Sequence, residues 1–316
     1  MRAPDFWQHP GLLPRLLSPL AALTTHLTAR RVAQPGMTSP IPVICVGNAS
    51  VGGTGKTILV RHLLALYQAH AIAAFALSRG HGGRLRGPLQ VDLDVHTARD
   101  IGDEPLLLAA TGPTIIARDR AAGARLAIAN GAARIIMDDG LQNPTLNKTL
   151  SLLVVDGGAG FGNGLVLPAG PLREPIAAAA ARCAAAVLIG ADRHHARARL
   201  PPDLPVLTAS IAPISPVPLT GLTIIAFAGI GRPEKFFDSL RGLGANLVRT
   251  ISLPDHHRYT NADCATLAGL AARHQAILVT TEKDQVKLSD PFRQACIVVK
   301  ADLVFDAPDQ LNALLP

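Results

Sequence analysis

The residues with the clearest chemical meaning form a glycine-rich segment in the first fifth of the chain. Three glycines and a Lys-Thr pair fall within eight positions, between an apolar run typical of a buried strand and a segment with helical periodicity. Such a loop aims backbone amides at phosphate oxygens, and the following helix presents its positive end to the same anion. The spacing therefore predicts a phosphate loop for ATP, formed by Ser50, Val51, Gly52, Gly53, Thr54, Gly55, Lys56 and Thr57.

The loop departs from the usual pattern at one position. Ser50 stands where G-x-x-x-x-G-K-[ST] has its first glycine, but the Gly-Gly-Thr-Gly-Lys-Thr core is present. Lys56 is expected to hold the β- and γ-phosphates, and Thr57 is expected to bind magnesium. A glycine-rich surface turn is the alternative, and the strand–loop–helix context disfavours it.

Two acidic pairs are candidates for the remaining chemistry. Asp138 and Asp139 follow an apolar run, and a carboxylate at the carboxyl end of a core strand is where such folds hold Mg²⁺. The alternative is an Asp-Gly turn. Asp103 and Glu104 precede an apolar helical run, so they either complement a helix dipole or supply a base that takes the proton of an attacking hydroxyl.

Basic residues suggest an anionic substrate. Arg79, Arg120 and Arg173 lie in or beside clusters of charged and small residues, and the arginine fork matches phosphate geometry, although solvated surface is the alternative. His256 and His257 are adjacent and have no third ligand at metal-site spacing, so they suit either a surface loop or a histidine that assists a carboxylate.

Composition limits the classes of protein that the chain can belong to. Of the 316 residues, 48% are hydrophobic and 17% are charged, which indicates a folded chain with a full core. Aromatic residues make up only 3%, which disfavours base stacking with single-stranded nucleic acid. The four cysteines form no C-x-x-C pair, so neither a zinc site nor a disulfide framework is predicted, and a reducing cytoplasm is favoured. The net charge of +7 suits nucleic acid, anionic lipid, phosphorylated ligands or simply a basic surface.

The elements that must position these residues alternate between apolar β-rich runs and helical patterns, which predicts parallel sheets with helices on both faces. Three prolines at residues 211–219 are typical of an extended linker. The predicted fold is α/β, with two α/β/α domains, a short linker and a cleft between them; the first domain is of P-loop NTPase type with a mainly parallel sheet. The expected boundaries are an amino-terminal arm at 1–40, a nucleotide-binding domain at 41–210, the linker at 211–222 and a smaller α/β domain at 223–316 that closes over the site.

The amino-terminal arm carries leucines at helical spacing, flanked by arginines. Its residues 11–29 include Pro14, Arg15, Pro19 and His26, so the segment is a poor spanning helix and a poor signal peptide. Such a segment lies in a membrane interface or packs as a helix on its own domain, and both interpretations stay open.

Further motifs accompany the loop and the acidic pairs along nearly the whole chain. They are Arg2-Ala3-Pro4-Asp5-Phe6-Trp7, Leu17-Ser18-Pro19-Leu20, Ser78-Arg79-Gly80-His81-Gly82, Gly102-Asp103-Glu104-Pro105, Asp138-Asp139-Gly140-Leu141-Gln142, Gly162-Asn163-Gly164, Leu167-Pro168-Ala169-Gly170-Pro171-Leu172-Arg173-Glu174-Pro175, Phe227-Ala228-Gly229-Ile230-Gly231-Arg232-Pro233, Asp255-His256-His257 and Thr280-Thr281-Glu282-Lys283-Asp284. With these motifs, the chain resembles the tetraacyldisaccharide 4'-kinase family of Gram-negative bacteria.

The resemblance implies a reaction and a location. The reaction is transfer of the ATP γ-phosphate, with Mg²⁺, to the 4'-hydroxyl of a tetraacylated glucosamine disaccharide 1-phosphate in lipid A biosynthesis. The location is the cytoplasmic face of the inner membrane, as a peripheral protein. The expected partners are this acylated phospholipid and the membrane surface, with no nucleic acid and no obligate protein partner.

The resemblance also implies roles for individual residues. Asp103 looks like the catalytic base, His256 like its partner from the second domain, and Lys56 belongs to the catalytic set. The residues expected to handle magnesium are Thr57, Asp138, Asp139 and Glu104. The candidate contacts to the substrate are Asn48, Arg79, Arg120, Arg173 and Glu174.

Three other functions of P-loop proteins are alternatives. A GTPase or metallochaperone often selects guanine with Asn-Lys-x-Asp, whereas Lys283 and Asp284 are adjacent here. A membrane-associated ATP switch often carries Lys-Gly-Gly before the loop core, whereas Val51 takes the lysine position here. An ATP-dependent ligase of small acids is the third, and the nucleotide and the acceptor distinguish all of these.

Overall fold

The computed structural model describes residues 4–255 and 257–316. Its strands are β1 (Val43–Gly47), β2 (Ala74–Ser78), β3 (Leu89–Gln90), β4 (Thr114–Ile116), β5 (Arg134–Asp138), β6 (Leu150–Asp156), β7 (Ala185–Ile189), β8 (Val206–Ile214), β9 (Thr223–Ala228), β10 (Asn246–Ser252), β11 (Ile277–Thr281) and β12 (Cys296–Phe305). Its α-helices are α1 (Leu12–Val32), α2 (Lys56–Ala69), α3 (Ala98–Ile101), α4 (Asp103–Ala109), α5 (Arg120–Ala129), α6 (Ile176–Ala180), α7 (Pro233–Gly242), α8 (Asn261–His274), α9 (Glu282–Gln285), α10 (Asp290–Gln294) and α11 (Pro308–Asn312), and short 3₁₀ helices span Asp5–Trp7 and Arg197–Arg199.

The strands of this described part form one sheet in the order β10-β9-β11-β12-β8-β7-β6-β1-β5-β2-β4-β3. Neighbouring strands are parallel except for the pairs β12–β8 and β3–β4. The predicted α/β class with a mainly parallel sheet is therefore confirmed. Within each run of parallel strands, on either side of the antiparallel β12–β8 pair, the carboxyl ends lie at one edge, which is where such folds place ligands.

Below, the first half of the chain means strands β1–β8 (residues 43–214) with the segments packed on them, and the second half means strands β9–β12 (residues 223–305) with theirs. Strand β1 lies near the centre of the first half, between β6 and β5. Val43 and Cys45 pack into the apolar cluster on one face, and Ile44 and Val46 pack into the cluster on the other. Successive strand side chains point to opposite faces, so a strand buried on both faces needs an unbroken apolar run. This requirement explains why the sequence of β1 is an unbroken apolar run, the pattern from which the strand was predicted.

Strand β12 joins the two halves of the chain, because it pairs with a strand of each. The first residues of β12 pair with β11 of the second half, and its later residues pair antiparallel with β8 of the first half. Residues 211–214, predicted as part of the linker, instead form the end of β8. Pro213 lies in this strand opposite Ala301, and the interruption that the prolines predict begins only after Ile214. The division into separate domains stays a prediction.

The alanine-rich segment at residues 175–185 has the composition of a helix throughout, but only Ile176–Ala180 forms α6. The backbone amide of Ala184 donates to the carbonyl of Ser151 on β6, and β7 begins at the next residue. Sheet pairing therefore overrides the helix propensity of alanine here.

Helix α1 has two different faces. One stripe packs on the first half of the chain through Pro14, Leu17 and Ala21. The other face exposes Leu12, Leu13, Leu16, Leu20, Leu23 and Leu27 by 48–77%. Among the described residues, no helix combines the length and the apolar character needed to cross a bilayer.

Candidate active site

The glycine-rich segment follows β1 and leads directly into α2, as its pattern predicts. Gly52 and Gly55 have φ of +109° and +92°, in a region that side chains with a Cβ rarely adopt. Gly55 is the residue that precedes α2, and Lys56 is its first residue. The loop therefore curls tightly and places Lys56 and Thr57 at the positive end of a 14-residue helix.

A later segment of the first half holds the loop in place. The amide of Val51 donates to the carbonyl of Pro171 over 2.8 Å, and the amide of Arg173 donates to the carbonyl of Ala49 over 2.7 Å. These bonds link the loop to the Leu-Pro-Ala-Gly-Pro-Leu-Arg-Glu-Pro motif at residues 167–175. The motif thus has a structural role at the loop, which sequence spacing does not reveal.

Two of the predicted substrate contacts are buried inside this support. Asn48 is fully buried and donates to the Ser50 carbonyl over 2.6 Å. Glu174 is 3% exposed, and its carboxylate accepts from Arg182 over 2.7 and 2.8 Å and from Gln142 over 2.7 Å. Gln142 also donates to the Asn48 carbonyl over 2.9 Å. Asn48 and Glu174 therefore support the loop from the interior, while Asn48 Oδ1 has no hydrogen-bond partner among the described residues. Their contact with a substrate stays a prediction.

Asp139 lies between two cations. Its carboxylate is 3.6 Å from Lys56 Nζ, and Nη1 of Arg173 donates to both of its oxygens over 2.9 Å. Burial acts to raise the pKa of Asp139, but Lys56 and Arg173 outweigh it and hold the pKa below its ordinary value. Asp139 is therefore a fixed anion that orients the loop lysine.

Asp138 has the opposite environment, although it is the preceding residue. It is 3% exposed at the end of β5, and the Thr57 hydroxyl donates to its Oδ2 over 3.3 Å. Burial, followed by the charge of Glu104, raises the pKa of Asp138 to about 7. Its Oδ1 is buried and has no hydrogen-bond partner among the described residues. A buried carboxylate with an unpartnered oxygen beside a hydroxyl is a donor set that a hard cation prefers.

The four residues predicted to handle magnesium are partly brought together. Thr57 and Asp138 are in direct contact, Glu104 acts on Asp138 through its charge, and Asp139 is bonded to cations. Within residues 4–255 and 257–316, no group of three or more His, Cys, Asp or Glu side chains is arranged to hold a metal ion. Magnesium in nucleotide sites commonly uses one or two protein groups with phosphate and water, and Thr57 with Asp138 fits that pattern.

Asp103 begins α4 and reaches the second half of the chain. It is 6% exposed, and Lys283 Nζ from α9 is 3.8 Å from its Oδ2. Lys283 also lies 3.3 Å from Asp255 Oδ1. His256, the predicted partner of Asp103, lies outside the described residues. Asp255, which precedes it, nevertheless shares a lysine with Asp103, so this loop meets the predicted base across the two halves.

His257 has a separate structural environment. Its Nε2 lies 3.3 Å from Asp263 Oδ2, and its ring packs edge-on against Tyr259 at 5.0 Å. Asp263 accepts from the amide and the hydroxyl of Thr260 at the start of α8. His257 therefore supports the beginning of a helix.

The remaining arginines differ in accessibility. Arg79 is exposed. Arg120 is 3% exposed at the start of α5, where one guanidinium nitrogen donates to the Ala117 carbonyl and Nε has no partner in the described part of the chain. Burial lowers the pKa of Arg120 to about 10, and the charges of Asp138 and Asp139 favour its charged form. Arg120 therefore faces the same charged cluster as the loop.

Four residues of the site received no role in the sequence analysis. They are Gln142, Arg182, Asp255 and Lys283. Gln142, Asp255 and Lys283 fall within the motifs that carry the resemblance, and this membership is the signal that pointed to them. Arg182 gave no local signal, because its importance depends on a bond to Glu174 eight residues earlier.

Comparison with known proteins places this site in a family. A model of the family described as tetraacyldisaccharide-1-P 4'-kinase matches residues 13–316. A tetraacyldisaccharide 4'-kinase of Gluconacetobacter diazotrophicus is 50% identical over 100% of this chain and 97% of its own length. One from Methylorubrum extorquens is 51% identical over 100% of this chain and 98% of its own length. A crystal structure of LpxK from Aquifex aeolicus in complex with ATP has a TM-score of 0.78 and 27% identity, and covers 96% of this chain and 98% of that chain.

The family model and these relatives extend over both halves of the chain. They confirm the resemblance seen in the sequence and the prediction of a kinase, a phosphotransferase with an alcohol acceptor. The chain belongs to the tetraacyldisaccharide-1-P 4'-kinase family.

Proposed function

We propose that this protein transfers the γ-phosphate of ATP to the 4'-hydroxyl of a tetraacylated glucosamine disaccharide 1-phosphate. The observation that carries the proposal is the pairing of Asp103 with Lys283 of the second half, in a chain that also forms a phosphate loop at the start of α2. ATP as the donor is supported by the LpxK structure from Aquifex aeolicus, which is described as a complex with ATP.

Each group has a defined task in this reaction. The loop amides and Lys56 bind the phosphate chain, and Asp139 with Arg173 keeps the lysine oriented. Asp103 accepts the proton of the attacking hydroxyl, and Lys283 holds its carboxylate in place. Thr57 and Asp138 would hold a magnesium ion, which supplies charge neutralisation on the transferred phosphoryl group. Catalysis then depends on positioning and electrostatics, as phosphoryl transfer requires.

The exposed leucine face of α1 supports a peripheral position on the cytoplasmic face of the inner membrane. An apolar stripe beside Arg15, Arg30 and Arg31 suits the boundary between acyl chains and anionic headgroups. The acylated substrate resides in the same boundary. Flotation with anionic vesicles is expected to recover the protein, and replacing Leu16 and Leu23 with Glu is expected to abolish recovery while the fold is retained. Equal recovery of this variant would contradict the membrane role of α1.

The reaction is tested by transfer from γ-labelled ATP to the disaccharide 1-phosphate in detergent. The wild-type protein is expected to give a labelled, doubly phosphorylated lipid, and Asp103→Ala is expected to lower the rate by about 10²–10⁴-fold. Asp94→Ala, an exposed loop variant, is the matched control and should keep the wild-type rate. ATP binding without lipid product would refute the kinase proposal and favour an ATP switch.

A further inference from the structure

A second carboxylate flanks the phosphate loop on the side away from the proposed magnesium residues. Asp156 ends β6, which neighbours β1 on one side, whereas Asp138 ends β5 on the other. Asp156 is 6% exposed, and its Oδ1 accepts from the Gly158 amide over 2.8 Å. The mechanism above uses Asp138 and gives no task to Asp156.

Two cations from the second half of the chain reach this carboxylate. Arg232, which precedes α7, forms an ion pair with Asp156 through Nη2. The same nitrogen donates to the Gly53 carbonyl in the phosphate loop over 3.4 Å. Lys235, in the first turn of α7, lies with Nζ 3.4 Å from Asp156 Oδ1. Arg232 therefore touches both the loop and the acidic end of β6, and Lys235 stands beside it.

The positive charge here exceeds what Asp156 alone can neutralise. Burial lowers the pKa of Arg232, and burial followed by the charges of Arg232 and Arg193 lowers that of Lys235. The ammonium also lies close to the backbone, because a Cβ on Gly158 would be 3.2 Å from Lys235 Nζ. A cluster of partly desolvated cations around one carboxylate is stabilised by a further anion.

We propose that Arg232 and Lys235 bind phosphate oxygens of the nucleotide, releasing Asp156 when the phosphate chain enters the loop. The proposal rests on the proposed use of ATP. The loop amides and Lys56 surround the phosphates from within the first half. Arg232 and Lys235 approach from the second half, on the side opposite Asp138, and so make nucleotide affinity depend on both halves of the chain. Arginine suits this task because its fork contacts a phosphate and a backbone carbonyl together.

The competing explanation is a contact that only holds the two halves together. In that case Arg232→Ala and Asp156→Asn both break the same ion pair and should change the nucleotide affinity in the same way. In our proposal only Arg232→Ala weakens nucleotide binding, and Asp156→Asn does not, because Asp156 competes with phosphate for the cations. Asparagine keeps the shape of Asp156 and the bond from the Gly158 amide, so the comparison isolates charge.

The test is calorimetric titration of the full-length protein with ATP and with ADP, each with Mg²⁺ and without lipid. Arg232→Ala and Lys235→Ala are each expected to raise Kd by about tenfold. Arg232→Lys should recover part of the loss, and Asp156→Asn should leave Kd unchanged or lower it. Arg241→Ala is the matched control, since this exposed residue of α7 pairs only with Asp238 among the described residues.

Two results would overturn the inference. One is wild-type affinity in both alanine variants, and the other is equal weakening by Arg232→Ala and Asp156→Asn. A wild-type protein that binds no ATP would instead refute the proposed function itself. A protein that binds ATP normally but phosphorylates no lipid leaves the inference standing, so the two failures are distinguishable.

Discussion

Replacing Asp138 with Asn is expected to change how the stability of the nucleotide-free, magnesium-free protein depends on pH. Asp138 is buried at the end of β5, and burial with the nearby charge of Glu104 raises its pKa from 3.8 to about 7. In the unfolded chain the same carboxyl has an ordinary pKa. The folded protein therefore binds a proton between these values that the unfolded chain does not.

The sign of the effect follows from this difference. Because the folded pKa is raised, the contribution to stability is complete below about pH 4 and is lost as the pH rises to about 7. A rise of about three pKa units corresponds to about 4 kcal/mol of unfolding free energy. The Asp138→Asn variant has no carboxyl to titrate at this position and lacks this dependence. The difference between the variant and the wild type should therefore grow in favour of the variant by up to about 4 kcal/mol from pH 4 to pH 8.

Urea titration at several pH values, followed by circular dichroism, measures this difference. Asp139→Asn is the matched control, because the pKa of Asp139 is held low by Lys56 and Arg173. Because the folded pKa of Asp139 is lowered, its ionised carboxylate stabilises the fold above the ordinary carboxyl pKa, and this stabilisation is lost at acid pH. Near neutrality, Asp139→Asn should therefore be less stable than the wild type. Parallel pH profiles for wild type and Asp138→Asn would refute the reasoning, since they would mean that the Asp138 carboxyl has an ordinary pKa.

Three further predictions concern an ion pair, two adjacent histidines and a glycine with positive φ. Arg61 on α2 donates two hydrogen bonds of 2.7 and 2.8 Å to Glu282 on α9, and the two side chains are only 18% and 12% exposed. Glu282→Ala should therefore lower the unfolding free energy by about 3 kcal/mol. A double-mutant cycle with Arg61→Met that shows simple additivity would contradict this. His256→Ala should lower turnover at least about tenfold more than His257→Ala, and steady-state kinetics showing equal or reversed losses would remove His256 from the site. Gly102→Ala should lower the unfolding free energy by about 1–3 kcal/mol and also lower turnover, because Gly102 has φ of +90° and a Cβ there would collide with a backbone carbonyl. A thermal melt with an unchanged melting temperature would contradict this prediction.

The local parts of this protein could be predicted from its sequence. The apolar run of β1, the glycine spacing and the periodicity of α2 each involve neighbouring residues, so the sequence alone indicates a phosphate loop between a strand and a helix. Asp138 at the end of a core strand was predicted for the same reason. The order of the motifs along the chain then indicated the family, which the comparisons confirmed.

Other features depended on residues far apart in sequence, and only the tertiary structure decided them. Helix α1 packs one stripe on the protein and exposes its leucines on the other face, a division that the sequence left open; the membrane-interface role stays a prediction. Strand β12 pairs with both halves of the sheet, which turned part of an expected linker into β8. Asn48 and Glu174 support the loop through interior hydrogen bonds, Asn48 to the Ser50 carbonyl and Glu174 to Gln142 and Arg182.

The partners of Asp103 and Asp156 show most clearly what the sequence alone could not predict. Neither has a basic residue close to it in the sequence that would be recognised as its partner. Folding brings Lys283 to the first and Arg232 with Lys235 to the second, across more than 70 intervening residues. Spacing along the chain determines which side chains share a strand, a turn or a helix face. Which charges face each other across the two halves depends on how the sheet and its helices pack, and that information lies in the fold as a whole.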